Sequence, residues 1–362
     1  MTSTRVGSAR THFSTLRLAA CALAALACAS AGAAENGGQR YSAGIGGSDM
    51  TAPLMPGWYF QAPVVAYHAK KLKGDDGKDA TRRAATSAPL PPTVFRAKLG
   101  IDTDVRAIQP RITYLDNTRL FGGNIGFTMM LPLVQRQADF SLTAPDLGFG
   151  AGAQGAVQAG LDTRARAISG RVTGIGDLEI GGIIHWELAD NQAMTLVNTF
   201  VIPTGDYKAD RRLNPGFGNF YTFRPSLQYS YIGEGWDFGV RTVLSFNTRN
   251  KDTGYRSGNV ANVDFQLMKF VTDDIRVGLQ GFAVKQFQKD SQDVSYLADP
   301  VNQAAEIING NRMRGYGLGP AVGWLKDGGD MMVEGKFIKE FGARNRTEGQ
   351  AFWLTVSKPL GL

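Results

Sequence analysis

Residues Trp236 to Asn247 run Trp-Asp-Phe-Gly-Val-Arg-Thr-Val-Leu-Ser-Phe-Asn. In an extended chain, side chains alternate between two faces with a period of two. Trp236, Phe238, Val240, Thr242, Leu244 and Phe246 then share one face, and Asp237, Arg241, Ser245 and Asn247 share the other. One face is oily and the other wet and charged. This strand alone leaves two environments open. It fits a soluble sandwich with one core, and it fits a wall with lipid outside and water inside.

The pattern recurs on both sides of that stretch. Tyr221, Phe223, Leu227, Tyr229 and Tyr231 oppose Thr222, Arg224, Ser226, Gln228 and Ser230. Leu178, Ile180, Ile184, Trp186 and Leu188 oppose Asp177, Glu179, His185 and Glu187. Counted along the chain, strand candidates fall at 57–69, 98–115, 124–141, 176–189, 193–203, 219–232, 236–248, 260–271, 275–287, 314–325, 331–341 and 350–358. Each is near the ~10 residues that span a bilayer at a tilt. The reading is an all-β chain of about 12 strands, with 10–14 as the range. Short connections at Asp273-Asp274 and Lys326–Asp330 read as tight turns. Long polar or Gly-rich ones at 70–92, 143–173, 205–217 and 288–312 read as loops at the other end. Trp58, Tyr59, Trp186, Tyr231, Trp236, Trp324 and Trp353 lie near strand ends and suit interfacial girdles.

The beginning of the chain decides between the two environments. Arg5, Arg10 and Arg17 precede an apolar run from Leu18 to Ala29, and Ala31-Gly32-Ala33 follows, the layout of a cleaved export signal over residues 1–33. The apolar run is shorter than the roughly 20 residues a spanning helix needs. Cys21 and Cys28, the only cysteines, both lie in this leader, so disulfides cannot hold the exported chain. With 20% charged and 43% hydrophobic residues the chain is neither disordered nor a helical membrane protein. Without the leader the formal charge falls from +7 to +4, too small and scattered for nucleic acid. An exported chain of amphipathic strands points to an outer-membrane β-barrel over residues 57–362, because only a closed barrel leaves no strand edge unpaired in lipid. Residues 34–56 are Gly-rich and aperiodic, a lead-in or a plug at the barrel mouth.

Prolines interrupt the strands. Pro63, Pro110, Pro132, Pro225 and Pro320 fall inside candidates, and a proline cannot donate to a ladder. In a barrel without edges, Pro110, Pro132, Pro225 and Pro320 are expected to kink the wall, and a kink can open a side window. Inward-facing charges are expected at Asp177, Glu179, His185, Glu187, Arg224, Arg241, Asp264, Glu334 and Lys336.

Chemistry motifs are weak. Gly150-Ala-Gly152-Ala-Gln-Gly155 fits G-x-G-x-x-G, but residues 143–149 make no buried strand ahead of it, so it reads as a small-residue loop. His68 and His185 are the only histidines beyond the leader, and His185 has no Ser on its face to make a nucleophile–base pair. No catalytic group, cofactor or metal site is assigned.

An ordered set of segments carries a family resemblance. It comprises Pro56-Gly57-Trp58-Tyr59, Gly174-Ile-Gly176-Asp177-Leu178, Val201-Ile-Pro203-Thr204-Gly205-Asp206-Tyr207, Asn219-Phe-Tyr-Thr-Phe-Arg-Pro225, Ser245-Phe-Asn247-Thr248, Asp252-Thr253-Gly-Tyr255-Arg256-Ser257-Gly258, Gly315–Pro320 and Phe341-Gly-Ala-Arg344-Asn345-Arg346. Together they resemble the transporter-like proteins tied to the meta-cleavage pathway of phenol degradation, also called the SphA family. The resemblance implies an outer-membrane barrel that passes small hydrophobic or aromatic compounds by diffusion, with outer-membrane lipids and those solutes as its partners. The alternatives are a closed barrel without a through-path and, third, an outer-membrane enzyme. The ending Pro359-Leu360-Gly361-Leu362 departs from the terminal aromatic residue of many such barrels.

Overall fold

The computed structural model describes residues 38–296, 311–326 and 330–361. The expected leader lies outside the described residues, as does most of the 326–330 turn. The chain forms β1 (Gly57–Lys73), β2 (Thr81–Ala85), β3 (Val94–Ile108), β4 (Arg111–Leu120), β5 (Gly123–Met130) and β6 (Leu133–Thr143). Helix α1 (Ala151–Ile168) follows, then β7 (Gly170–Ile175), β8 (Leu178–Ala189), β9 (Gln192–Ile202), β10 (Thr222–Gly233) and β11 (Trp236–Asn247). The remaining strands are β12 (Tyr255–Arg256), β13 (Val260–Phe270), β14 (Ile275–Gln286), β15 (Ser291–Gln292), β16 (Arg314–Lys326), β17 (Met331–Arg344) and β18 (Arg346–Gly361). Three pairs, β3 with β4, β5 with β6 and β7 with β8, continue one another and each form one stave. With β1, β9, β10, β11, β13, β14, β16, β17 and β18 they make a closed antiparallel barrel of 12 staves. Closure is the β1–β18 ladder, from Trp58↔Gly361 to Lys73↔Arg346.

The barrel is inside out relative to a sandwich. Asp237, Asn262, Asp264, Gln266 and Gln280 are at most 1% exposed, whereas Phe238, Leu267, Leu279, Leu318, Phe337 and Leu354 are each 37–48% exposed. A protein in water cannot bury that many polar groups around its axis and show that much oil outside. Lipid outside resolves both. Short hairpins gather at one end, apart from the Asn345 turn between β17 and β18, which lies at the other. Phe121-Gly122 and Glu234-Gly235 both have positive φ, the two-residue turn whose twist suits adjacent strands. The long connections and α1 gather at the other.

A seam crosses four neighbouring staves. β1 pairs with β4 up to Gln61↔Arg111 and with β3 from Val64↔Ile108, so Pro63 sits opposite the gap. The gap continues through Gln109-Pro110, Leu131-Pro132 and Gly176-Asp177. Single backbone bonds bridge it: Gln109 N to Pro63 O at 2.9 Å, Leu131 N to Pro110 O at 3.2 Å, and Gly176 N to Pro132 O at 2.7 Å. Beyond the seam β7 pairs with β6, and among the described residues its other edge has no strand partner. Residues 203–221 lie there instead, with Asp206 N donating to Ile175 O at 2.9 Å. Pro225 and Pro320 behave differently. Their strands continue, and each ladder skips locally: β10–β11 between Phe223↔Phe246 and Ser226↔Val243, and β16–β17 between Leu318↔Lys339 and Ala321↔Lys336.

Three expectations need correction. The segment 150–155 is not a loop: Gly150 caps α1, which is 18 residues long. Ala, Gln and Leu favour helix, and Val157, Leu161 and Ala165, spaced four apart, bury against Leu99 and Leu142. The helix half of the glycine motif therefore exists, without the strand half. Trp353 is not in a girdle. Alternation puts Phe352 and Leu354 outside at 52% and 41% exposure, so Trp353 faces in at 3%. Tyr59 likewise lines the lumen.

Candidate functional site

Residues 38–56 run down the inside of the barrel as a strap. Asp264 of β13 receives Tyr41 Oη at 2.5 Å and the amides of Gly44 and Gly46 at 3.0 Å each. Glu334 of β17 receives Ser48 N at 2.9 Å, Ser48 Oγ, and Gln280 Nε2 at 2.7 Å. Lys336 Nζ donates to Gly46 O at 2.6 Å. Lower down, Gln228 Nε2 donates to Met50 O and Gln266 Nε2 to Thr51 Oγ1, both at 2.8 Å. At the start of the strap Arg40 reaches Asp177 at 2.9 Å, Phe220 O at 2.6 Å, Gly218 O at 3.0 Å and Thr222 Oγ1 at 3.1 Å.

The glycines explain why this stretch looked aperiodic. A Cβ on Gly47 would lie 2.2 Å from Glu334 Oε1, and one on Gly46 would lie 2.8 Å from Asp264 Oδ2. Gly44 has φ +83, a left-handed conformation that side chains resist. The backbone itself is the ligand of the wall carboxylates, so side chains are excluded. A buried carboxylate needs several donors to offset lost hydration, and here amides supply them.

The expected lumen residues fall at distinct levels. Asp264, Glu334 and Lys336 hold the strap. Asp177 sits at the seam, where it also receives Gly205 N at 3.1 Å and Phe217 N at 3.2 Å. Arg224 pairs with Glu179 at 2.5 Å. Arg241 pairs with Asp49 of the strap at 2.6 Å, and Asp49 also faces Arg111 at 3.5 Å. His185, 5% exposed, is 2.8 Å from Thr195 Oγ1 on the next strand. Glu187, on the same face, is exposed near the hairpin end. The sequence reading missed Arg40, Asp49, Arg111 and the buried pair of Arg276 with Asp237. Alternation had placed Asp237 opposite the oily face, so that residue was legible. Arg111 was hidden because the strand restarts at Pro110, and the strap has no period at all.

Beside the strap lies a cavity of about 420 Å³ that extends to the hairpin end. Its walls mix Ile183, Val197, Val243 and Met130 with Thr113, Thr128, Thr195, Thr199 and Ser226. Arg111, Arg224, Arg241, Glu179 and Asp49 also line it. One further cluster lies elsewhere. His68, Asp102 and Asp104 bring their ligand atoms within 4.8 Å on the loop-end extension of β1 and β3. Their side chains are 38–51% exposed, as solvated surface groups commonly are.

A closed barrel with an oily exterior, a polar lumen and an internal strap defines the class: an outer-membrane-type β-barrel. The chain belongs to the family described as "Putative MetA-pathway of phenol degradation", whose model matches residues 64–356. Among solved structures it is similar to the COG4313 outer-membrane channel from Pseudomonas putida F1. The TM-score is 0.59 at 12% identity, covering 85% of this chain and 97% of that one. Two others are more distant in fold. They are the β domain of the Bordetella autotransporter BrkA (TM-score 0.44, 8% identity, 83% and 99% covered) and the Pseudomonas putida toluene transporter TodX (TM-score 0.34, 10% identity, 88% and 95% covered). A comparison with curated proteins gives no match.

Proposed function

We propose that the protein is an outer-membrane channel for small hydrophobic or aromatic compounds, moving them by passive diffusion. The observation that carries this reading is the cavity of about 420 Å³ inside a lipid-clad barrel, a volume suited to a small solute. The family's link to phenol degradation and the fold shared with an outer-membrane channel support it. In this reading residues 1–33 are a cleaved export signal, the hairpin end faces the periplasm and the loop end faces outward. The strap is a plug between the loop end and the cavity, and the nine inward charges hold it or line the path. The proline seam is the place where the wall can yield, and a solute leaves or enters the lumen sideways there. Purified protein in liposomes should admit a small aromatic probe faster than protein-free liposomes; equal rates would sink the channel reading.

A second reading has one observation in its favour. Hydrogen bonds from Arg40 to Thr51 tie the strap to the four strands β10, β11, β13 and β17, as in a barrel permanently filled. Conductance in planar bilayers separates the two, since a filled barrel passes no ions.

A further inference from the structure

We propose that the cavity beside the strap is a binding site for a small carboxylic acid with an apolar ring or chain, its carboxylate received by Arg224. This deepens the channel reading, and rests on it for how the ligand reaches the lumen.

Arg111, Arg224 and Arg241 line the cavity with Glu179 and Asp49 as their only lining carboxylates. Arg276 also lines it but is matched by the buried inward carboxylate of Asp237. Lys358 stands at the exposed rim, so the lining cations outnumber the lining carboxylates. Asp49 is shared by Arg241 and Arg111, which leaves Glu179 as the counter-ion of Arg224.

Arg224 is the group with spare capacity. It is 4% exposed, and its Nε and Nη2 donate no hydrogen bond of acceptable geometry although Glu179 Oε1 lies 2.5 Å from Nη2; both atoms are covered, so an incoming carboxylate reaches them by displacing Glu179. A buried guanidinium with idle donors is costly, and a planar carboxylate offers the paired acceptors that its fork matches. The neighbouring wall is suited to the rest of such a molecule. Ile183, Val197 and Val243 give an apolar surface, and Thr199 and Ser226 give hydroxyls for a second polar group. An aliphatic or aromatic hydrocarbon would use the apolar wall and leave Arg224 as it is. A simple inorganic anion would use Arg224 and leave the wall bare. An acid with an apolar body uses both.

The test is calorimetric titration of benzoate, acetate and toluene into the detergent-solubilised full-length protein. Benzoate should bind saturably, and at least about tenfold tighter than either acetate or toluene, because a charge-assisted pair with a buried arginine supplies that much discrimination. Arg224→Gln should weaken benzoate about tenfold and leave toluene unchanged. Glu179→Gln removes the competing carboxylate and should tighten benzoate, an opposite sign that a merely structural role would not produce. Heat-modifiable migration confirms that each variant is folded, and if Arg224→Gln does not fold, Glu179→Gln alone decides. The proposal is overturned if benzoate shows no saturable binding, if acetate or toluene equals it, or if Glu179→Gln weakens it. Benzoate binding without any permeation of apolar probes would defeat the channel reading and leave this site standing. Permeation of apolar probes without benzoate binding would do the reverse.

Discussion

At the scale of single residues, the strap glycines and the wall carboxylates form one device. Gly47 has no room for a side chain against Glu334 and Gln280. Gly47→Val should therefore push the strap off β17 while leaving the wall intact. The expected result is a larger single-channel conductance with unchanged heat-modifiable migration; a conductance equal to that of the parent protein would show that the strap does not limit the path. On the outer face, Val240 pairs across the ladder with Tyr229 and Phe265, among residues that contact lipid. Val240→Arg should cost about 2–4 kcal/mol of insertion near the bilayer midplane, read by folding titration in lipid vesicles. The inward role of Arg241 and Asp264 followed from alternation alone. Their partners did not, because Asp49 and Tyr41 sit in a stretch whose conformation is dictated by what it touches and not by any period of its own.

Among the elements, the staves were legible and their interruptions only partly so. Candidates 98–115 and 124–141 each merged two strands, since Ile108, Arg111, Leu131 and Leu133 keep the alternation going across Pro110 and Pro132. What the sequence could not show is that these two prolines line up with Pro63 and Gly176 across neighbouring staves, a matter of register. At the end of that seam Gly205 packs on Gly176 and Gly216 with no space for a Cβ, and Asp177 binds both the 203–217 segment and Arg40. Asp177→Ala leaves Arg40 buried without its counter-ion, a loss of about 3–5 kcal/mol. The segment around Gly205 should then become protease-sensitive in an otherwise folded barrel; resistance equal to the parent would show that other contacts hold it.

Helix α1 is a separate case. Its buried stripe of Val157, Leu161 and Ala165 was readable at a spacing of four, but four glycines in 148–155 suggested a loop. Leu161 is fully buried, and Leu161→Ala should cost about 2–5 kcal/mol locally. Hydrogen exchange should quicken in α1 and not in the staves below the seam. At the loop end, hydrogen bonds from Lys98 and Lys73 hold the Asp79 carboxyl below its ordinary range. That contribution is present above the unfolded carboxylate value of about 3.9 and fades as pH falls through the lower folded value. The β1–β2 connection should therefore lose exchange protection in acid, measured relative to the intrinsic amide rate at each pH.

For the molecule as a whole, lipid outside and polar groups inside replace the single core of a soluble domain. Its cohesion comes from ladders that close on themselves and from the lumen network, so the detergent-solubilised protein should migrate faster on gels before boiling than after. Identical migration would contradict a closed barrel. The outward faces also mark where the bilayer ends. Val64, Ile108, Leu133 and Ile175 beside the seam are apolar and exposed, whereas Asp104, Arg106, Gln135, Gln137 and Arg171 beyond it are polar. On this flank the seam lies at the outer margin of the apolar belt, and a solute passing through it would meet the outer leaflet near its headgroups.

The β1–β18 ladder sets an order of events. The first and last strands of the barrel are neighbours, so the wall can close only after the whole chain has arrived. The strap precedes β1, and the two carboxylates that hold it, Asp264 and Glu334, belong to β13 and β17, late in the chain. The earliest segment therefore waits for the latest ones. It must lie between the opposing ends as they meet, or be threaded through the mouth afterwards. The former route would let the backbone of Gly44 to Ser48 gather β13 and β17 around itself, so that the strap is a mandrel on which the last staves are bent into a cylinder.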